Sequence, residues 1–163
     1  MLDEAFKRVF SVEENMILLL NSIFKDRKIR SLRYEDKELF GWLSFSRKTV
    51  FDMYCEDTDG RHFIVEVQYR KQENFVNRSL VYSMQSIQKQ VKRGKDYNYE
   101  LAPVYLLALL DFEIDGFDDG EFIHRFELLD SRTKLKMTDK LKFVFVELPK
   151  LTLNEESGIT EEE

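Results

Sequence analysis

The chain has 163 residues, a formal net charge of −6 and 43% hydrophobic residues. This length suits one domain with a sizeable core, and the composition excludes a disordered chain. With one cysteine, no intrachain disulfide can form, and the two histidines and that cysteine show no zinc-ligand spacing. The longest apolar run has seven residues, too short to span a bilayer, and we recognise no signal peptide. We therefore expect a cytoplasmic protein.

The first third of the chain predicts helices followed by strands. Apolar residues recur with helical spacing over residues 3–24. A break is predicted at Ser11, because Ser11 and Glu14 have the form of a capping box that would begin a second helix. Residues 25–38 are charged and predict a loop or edge region. Residues 43–54 and 63–68 are rich in β-branched and aromatic residues and predict two strands joined by a turn.

The rest of the chain predicts one long helix and three more strands. Residues 73–92 contain neither glycine nor proline, so we predict a helix that ends at Gly94. An apolar run at 103–112 predicts a fully buried strand, and 122–129 and 141–148 predict two others. This order predicts one α/β or α+β domain over residues 1–150, with a mixed central sheet flanked by helices. We expect weak order after Pro149, with an acidic tail at 151–163.

The segment DMYCEDTDGRHFIVEVQ, residues 52–68, carries a carboxylate inside an apolar strand. A two-residue turn at 59–60 would place Asp52 and Glu66 on opposite faces of the hairpin. A three-residue turn at 58–60, with Gly60 in the left-handed region, pairs Asp57 with Arg61 and places Asp52 opposite Glu66. We favour the three-residue turn, because aspartate and glycine suit its first and last positions.

This register predicts two chemically different faces for the second strand of the hairpin. Asp52, Glu66 and Gln68 share one face, and the core face carries Phe63, Val65 and Val67. Facing carboxylates destabilise a sheet and raise each other's proton affinity, and a divalent cation removes both effects. Hard oxygen ligands of this kind suit Mg²⁺ or Mn²⁺.

Two alternatives stay open at this point. One carboxylate could pair with a basic side chain such as Lys48 or Arg78, and spacing does not decide between this ion pair and a metal. Residues 55–66 also copy the spacing of an EF-hand calcium loop. That loop would begin at Cys55, the wrong ligand for Ca²⁺, and would lie between strands instead of helices.

Residues 70–95 contain seven basic residues and one acidic residue, although the whole chain is acidic. Charge alone does not distinguish a solvated helix face from a surface that holds phosphates.

The segment FDMYCEDTDGRHFIVEVQ resembles the core motif of the PD-(D/E)XK nuclease family transposases, also called recombination-promoting nucleases. In that family an aspartate ends the first strand of a hairpin, and the second strand carries Glu-x-Lys or, in this branch, Glu-x-Gln. These positions are Asp52 and Glu66-Val67-Gln68 here. Three more segments resemble the family in the same order, so the resemblance covers nearly the whole chain: DEAFKRVFSVEEN, FVNRSLVYSMQSIQKQVKRGKDYNYELAPVYLLALLDF and DKLKFVFVELPK. The family usually continues beyond ELPK, so we expect a short or truncated member.

The resemblance implies a restriction-endonuclease-like fold and Mg²⁺-assisted hydrolysis of DNA, with Mn²⁺ as an alternative ion. Asp52 and Glu66 would bind the metal, the carbonyl of Val67 would be a further ligand, and Gln68 would orient the attacking water. Gln68 is uncharged, so it lacks the electrostatic role of the usual lysine and cannot act as a base.

The resemblance also suggests an acidic residue from the first helices and a set of phosphate contacts. Glu13 or Glu14 is the candidate acid, with Glu14 assigned to the metal, and the alternative is a carboxylate favoured by the helix dipole. The predicted DNA contacts are Arg78, Lys89, Lys92 and Arg93, and for Arg78 an ion pair to the acidic cluster is the alternative. Members of the superfamily often dimerise to cut both strands. A second function stays open, a catalytically degenerate domain that binds DNA or protein.

Overall fold

A computed structural model describes residues 2–25, 28–35, 53–91 and 98–151. The helices are α1 (Leu2–Phe10), α2 (Glu13–Ile23) and α3 (Phe75–Gln90). The strands are β1 (Leu32–Tyr34), β2 (Met53–Asp57), β3 (His62–Gln68), β4 (Val104–Leu110), β5 (Ile123–Glu127) and β6 (Leu141–Glu147). Within the described residues these strands form one sheet in the order β1-β2-β3-β4-β6-β5. The predicted mixed sheet flanked by helices is confirmed.

The sheet separates two apolar cores. Strands β3, β4 and β6 are parallel, while β1, β2 and β5 are antiparallel to their neighbours. On one side Met16 and Leu20 of α2 pack with alternate residues of β3, including Phe63 and Val65. On the other side Phe75 of α3 packs with the strand residues that alternate with these and point to the opposite face. We name these sides the α2 face and the α3 face. Strand β3 is therefore buried on both faces, and not only on the predicted core face.

The helix break at Ser11 is confirmed, but the capping box is wrong. Helix α1 ends at Phe10 and α2 begins at Glu13. The N-cap of α2 is Val12, which makes no side-chain capping bond. The Ser11 hydroxyl instead donates a hydrogen bond to the carbonyl oxygen of Arg8 at 3.0 Å. The short strand β1 lies at the sheet edge, as predicted for this charged segment. The predicted helix end at Gly94 is wrong, because α3 ends at Gln90 and its C-cap residue Val91 is already extended. The predicted strand residues 43–52 lie outside the described residues.

The β2–β3 turn adopts the predicted three-residue form. Cys55 pairs with Phe63 and Glu56 with His62, and the amide of Asp57 donates to the carbonyl of Arg61 at 3.0 Å. Gly60 has a φ of 76°, the left-handed conformation that glycine adopts without a steric cost. The turn therefore sets the register of the hairpin, in which residue 53 lies opposite residue 65.

A buried ion pair fixes this turn. The Nε of Arg61 donates to Oδ2 of Asp57 at 2.6 Å, and the Nη2 of Arg61 lies 2.6 Å from the same oxygen. The other carboxylate oxygen, Oδ1, accepts hydrogen bonds from the amides of Asp59 and Arg61. The side chain of Asp57 is 1% exposed and that of Arg61 is 5% exposed. Asp57 is therefore a structural residue of the turn.

A second buried cluster closes the carboxyl end of β6. Glu147 accepts a hydrogen bond from the main-chain N–H of Ile114, and its Oε2 lies 2.8 Å from Nε2 of His124 and 2.5 Å from Nζ of Lys150. Lys150 also donates to the carbonyl of Phe117 at 2.5 Å. The cluster ties the β4–β5 connection to β6. The prediction of weak order after Pro149 is therefore wrong for Lys150, which is buried in a helical turn at 148–151.

The charges of this cluster hold each other in the ionised form. Burial by itself would raise the pKa of Glu147, but the hydrogen bonds from Lys150, Ile114 and His124 outweigh it and hold the pKa below its ordinary value. The hydrogen bond to Glu147 raises the pKa of Lys150.

Removal of the Asp57 carboxylate should destabilise the fold strongly. In Asp57→Ala the buried Arg61 loses its closest carboxylate, and Oδ2 of Asp59 lies 3.8 Å from its Nη2. Breaking a buried pair costs about 3–5 kcal/mol, which urea unfolding would measure. The matched control is Arg33→Ala, because Arg33 is 71% exposed in its pairs with Glu35 and Glu56. The Arg33 substitution should cost much less, because exposed ion pairs contribute little, and equal costs for the two variants would refute the structural role of Asp57.

Glu147 should make the fold sensitive to acid. Its pKa is lower in the folded than in the unfolded chain, so its stabilising contribution is complete above the ordinary glutamate pKa of about 4.3 and is lost as the pH falls towards the folded pKa. The difference in unfolding free energy between the parent and Glu147→Gln should therefore shrink between about pH 6 and pH 3. Glu121→Gln, at an exposed position, is the control. A difference that is independent of pH would contradict the linkage.

Candidate active site

Glu66 and Gln68 lie side by side on the α3 face of β3. Side chains two residues apart on a strand point to the same face, so both lie on the face of Ile64, which packs beneath α3. Glu66 is 2% exposed and Gln68 is 9% exposed. The Nε2 of Gln68 donates a hydrogen bond to Oε2 of Glu66 at 3.3 Å. The structure therefore brings these two predicted residues together, while their catalytic roles stay a prediction.

Asp52 lies outside the described residues. The last described pair of the hairpin is Met53 with Val65, one position from Asp52 and Glu66 along each strand. The prediction that the two carboxylates face each other therefore stays a prediction. Lys48, the alternative partner for a carboxylate, also lies outside the described part of the chain.

Glu66 occupies an otherwise apolar row across the parallel strands. The neighbouring residues in register are Ala108 of β4 and Phe145 of β6. A carboxylate buried in such a row costs free energy unless hydrogen bonds or a cation compensate it. Ala108 contributes only a methyl group to this row. The side chain of Val67 packs on the α2 face, so only its main-chain carbonyl could serve as a ligand.

The described residues contain oxygen donors near Glu66 but no complete set of metal-ligating side chains. They contain no group of three or more histidine, cysteine, aspartate or glutamate side chains that could hold a metal ion. They do supply the carboxylate of Glu66, the amide oxygen of Gln68 and the carbonyl of Val67. These hard oxygen donors fit Mg²⁺ or Mn²⁺. The second carboxylate that the sequence predicts for this site, Asp52, lies outside the described ranges.

Glu13 and Glu14 are not brought beside Glu66. Oε1 of Glu13 accepts a hydrogen bond from the main-chain N–H of Leu32 at 2.8 Å, and Glu14 is exposed. Both residues lie in the first turn of α2, which packs on the opposite face of the sheet from Glu66. The structure therefore does not support Glu14 as a metal ligand. Carboxylates at this end of a helix are favoured by its dipole, the alternative that the sequence left open.

The calcium-loop alternative is wrong. Cys55, its first ligand, has a buried side chain, and desolvation raises the pKa of its thiol to about 12. Asp57 is held by Arg61, and the flanking elements are the strands β2 and β3.

Two of the four predicted DNA contacts are described, and they differ in their surroundings. The Nη2 of Arg78 donates to the hydroxyl of Tyr82 at 2.9 Å, and Nη1 donates to Gln72. No ion pair joins Arg78 to a carboxylate of the described residues, so the alternative of an acidic partner is not observed there. Nζ of Lys89, in contrast, lies 3.3 Å from Oε2 of Glu35. Lys92 and Arg93 lie outside the described residues.

The sequence analysis missed a polar stripe on α3. The buried side of this helix carries Phe75, Ser79, Ser83 and Ser86. The serines recur at intervals of four and three residues, which places them on the same side of the helix as Phe75. This spacing is visible in the sequence, but serine is not apolar, so apolar periodicity does not reveal it.

Comparisons with known proteins identify the family. Residues 1–162 match the family model described as PD-(D/E)XK nuclease family transposase. No curated protein and no solved structure matches the chain. In the described ranges, no helix has the length and apolar character needed to cross a membrane. The six-stranded mixed sheet with flanking helices agrees with a restriction-endonuclease-like fold. The chain therefore belongs to the PD-(D/E)XK nuclease family transposases, whose nuclease fold serves functions associated with transposition.

Proposed function

We propose that this chain is a metal-dependent endonuclease that hydrolyses DNA phosphodiester bonds in transposition or recombination. The observation that carries the proposal is the buried Glu66 carboxylate, which accepts a hydrogen bond from Gln68 on the α3 face of the sheet. A carboxylate buried in an apolar row needs compensation for its charge, and a divalent cation would supply it. The family membership supports a DNA substrate.

Glu66 and Asp52 would hold Mg²⁺, with the carbonyl of Val67 as a third oxygen donor, and Mn²⁺ fits the same donors. A bound divalent ion would polarise the phosphoryl group and lower the pKa of a coordinated water. Glu66 supplies negative charge from a position that excludes solvent. Gln68 holds one carboxylate oxygen in place through its amide N–H, and a neutral amide cannot take up the proton of the attacking water.

Arg78 is the described basic residue best suited to contact a DNA phosphate. Tyr82 and Gln72 orient its guanidinium without neutralising it. Lys89 is less suited, because Glu35 offsets its charge and its ammonium lies 5.5 Å from the centre of the Tyr54 ring. Lys92 and Arg93 remain proposed contacts. A cytoplasmic location and a homodimer that cuts both strands also remain proposals.

The second candidate function is a degenerate nuclease domain that binds DNA or protein without cleavage. Gln68 favours it, because the position lacks the positive charge of the superfamily lysine. The net charge of −6 also favours it. Divalent-metal binding distinguishes the two candidates, since a binding module has no need of the ion.

Glu66→Gln should abolish metal binding and DNA nicking without harming the fold. The substitution keeps the shape of the side chain and removes the charge that would hold the ion. The metal-free protein should be as stable as the parent or more stable, because a buried carboxylate is costly. Calorimetric titration of Mn²⁺ and Mg²⁺, plasmid nicking and urea unfolding measure the three properties. Asp52→Ala should also abolish nicking.

Glu56→Gln is the matched control for this experiment. Glu56 lies on β2 in an ion pair with the exposed Arg33, so its loss should leave metal binding and nicking unchanged. Nicking by Glu66→Gln at the parent rate would refute the site assignment. A parent protein that binds DNA but no divalent metal would support the binding module instead.

Arg78→Ala should weaken DNA binding more than Lys89→Ala. Loss of one phosphate contact should reduce the slope of log affinity against log salt by about 1. The Lys89 substitution should change the slope less, because that charge is already paired. Fluorescence anisotropy of a labelled duplex at several salt concentrations, in a chelator to prevent cleavage, gives both slopes. Equal slopes for the two variants would contradict the assignment of Arg78.

A further inference from the structure

Three serines lie buried on the side of α3 that faces the sheet, and their hydroxyl groups have different surroundings. The Ser79 hydroxyl donates to the carbonyl of Phe75 at 3.1 Å. The Ser86 hydroxyl lies within hydrogen-bonding distance, 3.0 Å, of the Tyr54 hydroxyl. Ser83 is 0% exposed, and among the described residues its Oγ has no hydrogen-bond partner.

The path of α3 places Ser83 near the row of Glu66. At the start of the helix, the ring of Phe75 packs 5.4 Å from that of Phe145 on β6. Near its end, Ser86 contacts Tyr54 on β2. The middle of the helix must therefore cross β4 and β3, which lie between those two strands. Ser83 lies in this middle part.

The sheet residues beneath α3 form two neighbouring rows on the α3 face. Phe145, Ala108 and Glu66 form one row, and Tyr54 belongs with Ile64 to the next row on this face, so the helix runs from the Glu66 row at β6 to the Ile64 row at β2. Ala108 projects only a methyl group between Phe145 and Glu66. The buried hydroxyl and the buried carboxylate therefore share one layer, between α3 and the sheet.

An unpartnered buried hydroxyl does not stabilise the fold. Leaving a buried donor unsatisfied costs about 1–3 kcal/mol, whereas alanine at the same position would cost nothing of this kind. Serine also gains nothing over alanine as a helix former. The stability of the fold therefore does not explain why a serine occupies position 83. A hydrogen bond that Ser83 makes when the site is occupied would explain it.

We propose that Ser83 is a positioning residue for Glu66. Its O–H group donates a hydrogen bond to the Glu66 carboxylate, directly or through one buried water, when that carboxylate holds the divalent ion. The inference rests on the proposed function and deepens it. Gln68 then fixes Glu66 from the strand and Ser83 fixes it from the helix, so that the carboxylate keeps one orientation.

The test compares Ser83→Ala with Ser79→Ala in the full chain. Both substitutions remove one buried hydroxyl from the same face of the same helix. Calorimetric titration of Mn²⁺ gives the metal affinity, plasmid nicking gives the Mn²⁺ concentration for half-maximal rate, and urea unfolding without metal gives stability. Ser83→Ala should bind Mn²⁺ about 10- to 100-fold more weakly, as is usual when a residue that orients a metal ligand is removed.

The same variant should be as stable as the parent or more stable in the absence of metal, and Ser79→Ala should bind Mn²⁺ like the parent. A Ser83→Ala variant with the parent's metal affinity overturns the inference and leaves the proposed function intact. Loss of metal-free stability in Ser83→Ala, or equal weakening in Ser79→Ala, also overturns it, because either result assigns the effect to helix packing. A parent that binds no Mn²⁺ overturns both proposals.

Discussion

Strand β3 is paired on both edges and covered on both faces, and the rest of the structure depends on its register. A shift of one residue would move Glu66 to the α2 face and bring Val65 and Val67 beneath α3. The register is fixed by the turn, where Asp57 accepts two main-chain N–H groups and the Arg61 guanidinium. It is also fixed by seven consecutive pairs with β4. The candidate site is therefore a consequence of hairpin geometry.

Buried charges in this protein are compensated in two ways. At the turn and at the end of β6, a carboxylate meets a cation within the fold: Arg61 holds Asp57, and Lys150 holds Glu147. Both arrangements join segments that would otherwise be loosely connected. Glu66 accepts a hydrogen bond from the side-chain amide of Gln68, a neutral group on the same strand.

Local chemistry made the β2–β3 turn predictable from the sequence. Gly60 and Asp57 suit one turn type, and that turn fixed which residues of β3 share a face. Periodicity located α3 and the buried strand β4 within a few residues. The capping box at Ser11 failed because the hydroxyl has a competing local acceptor, the carbonyl of Arg8, which its pattern does not reveal. The order of the segments and their resemblance to one family predicted the fold.

The sequence by itself determined the elements, the hairpin register and the alternation that puts Glu66 and Gln68 on one side of their strand. Only the tertiary structure decided which helix covers that side, and so it separated Glu14 from Glu66 and brought the serines of α3 above the sheet. It also paired Lys89 with Glu35 and buried Lys150 against Glu147. The physical reason is that periodicity fixes the direction of a side chain relative to its own helix or strand. The partner it meets depends on how distant segments pack.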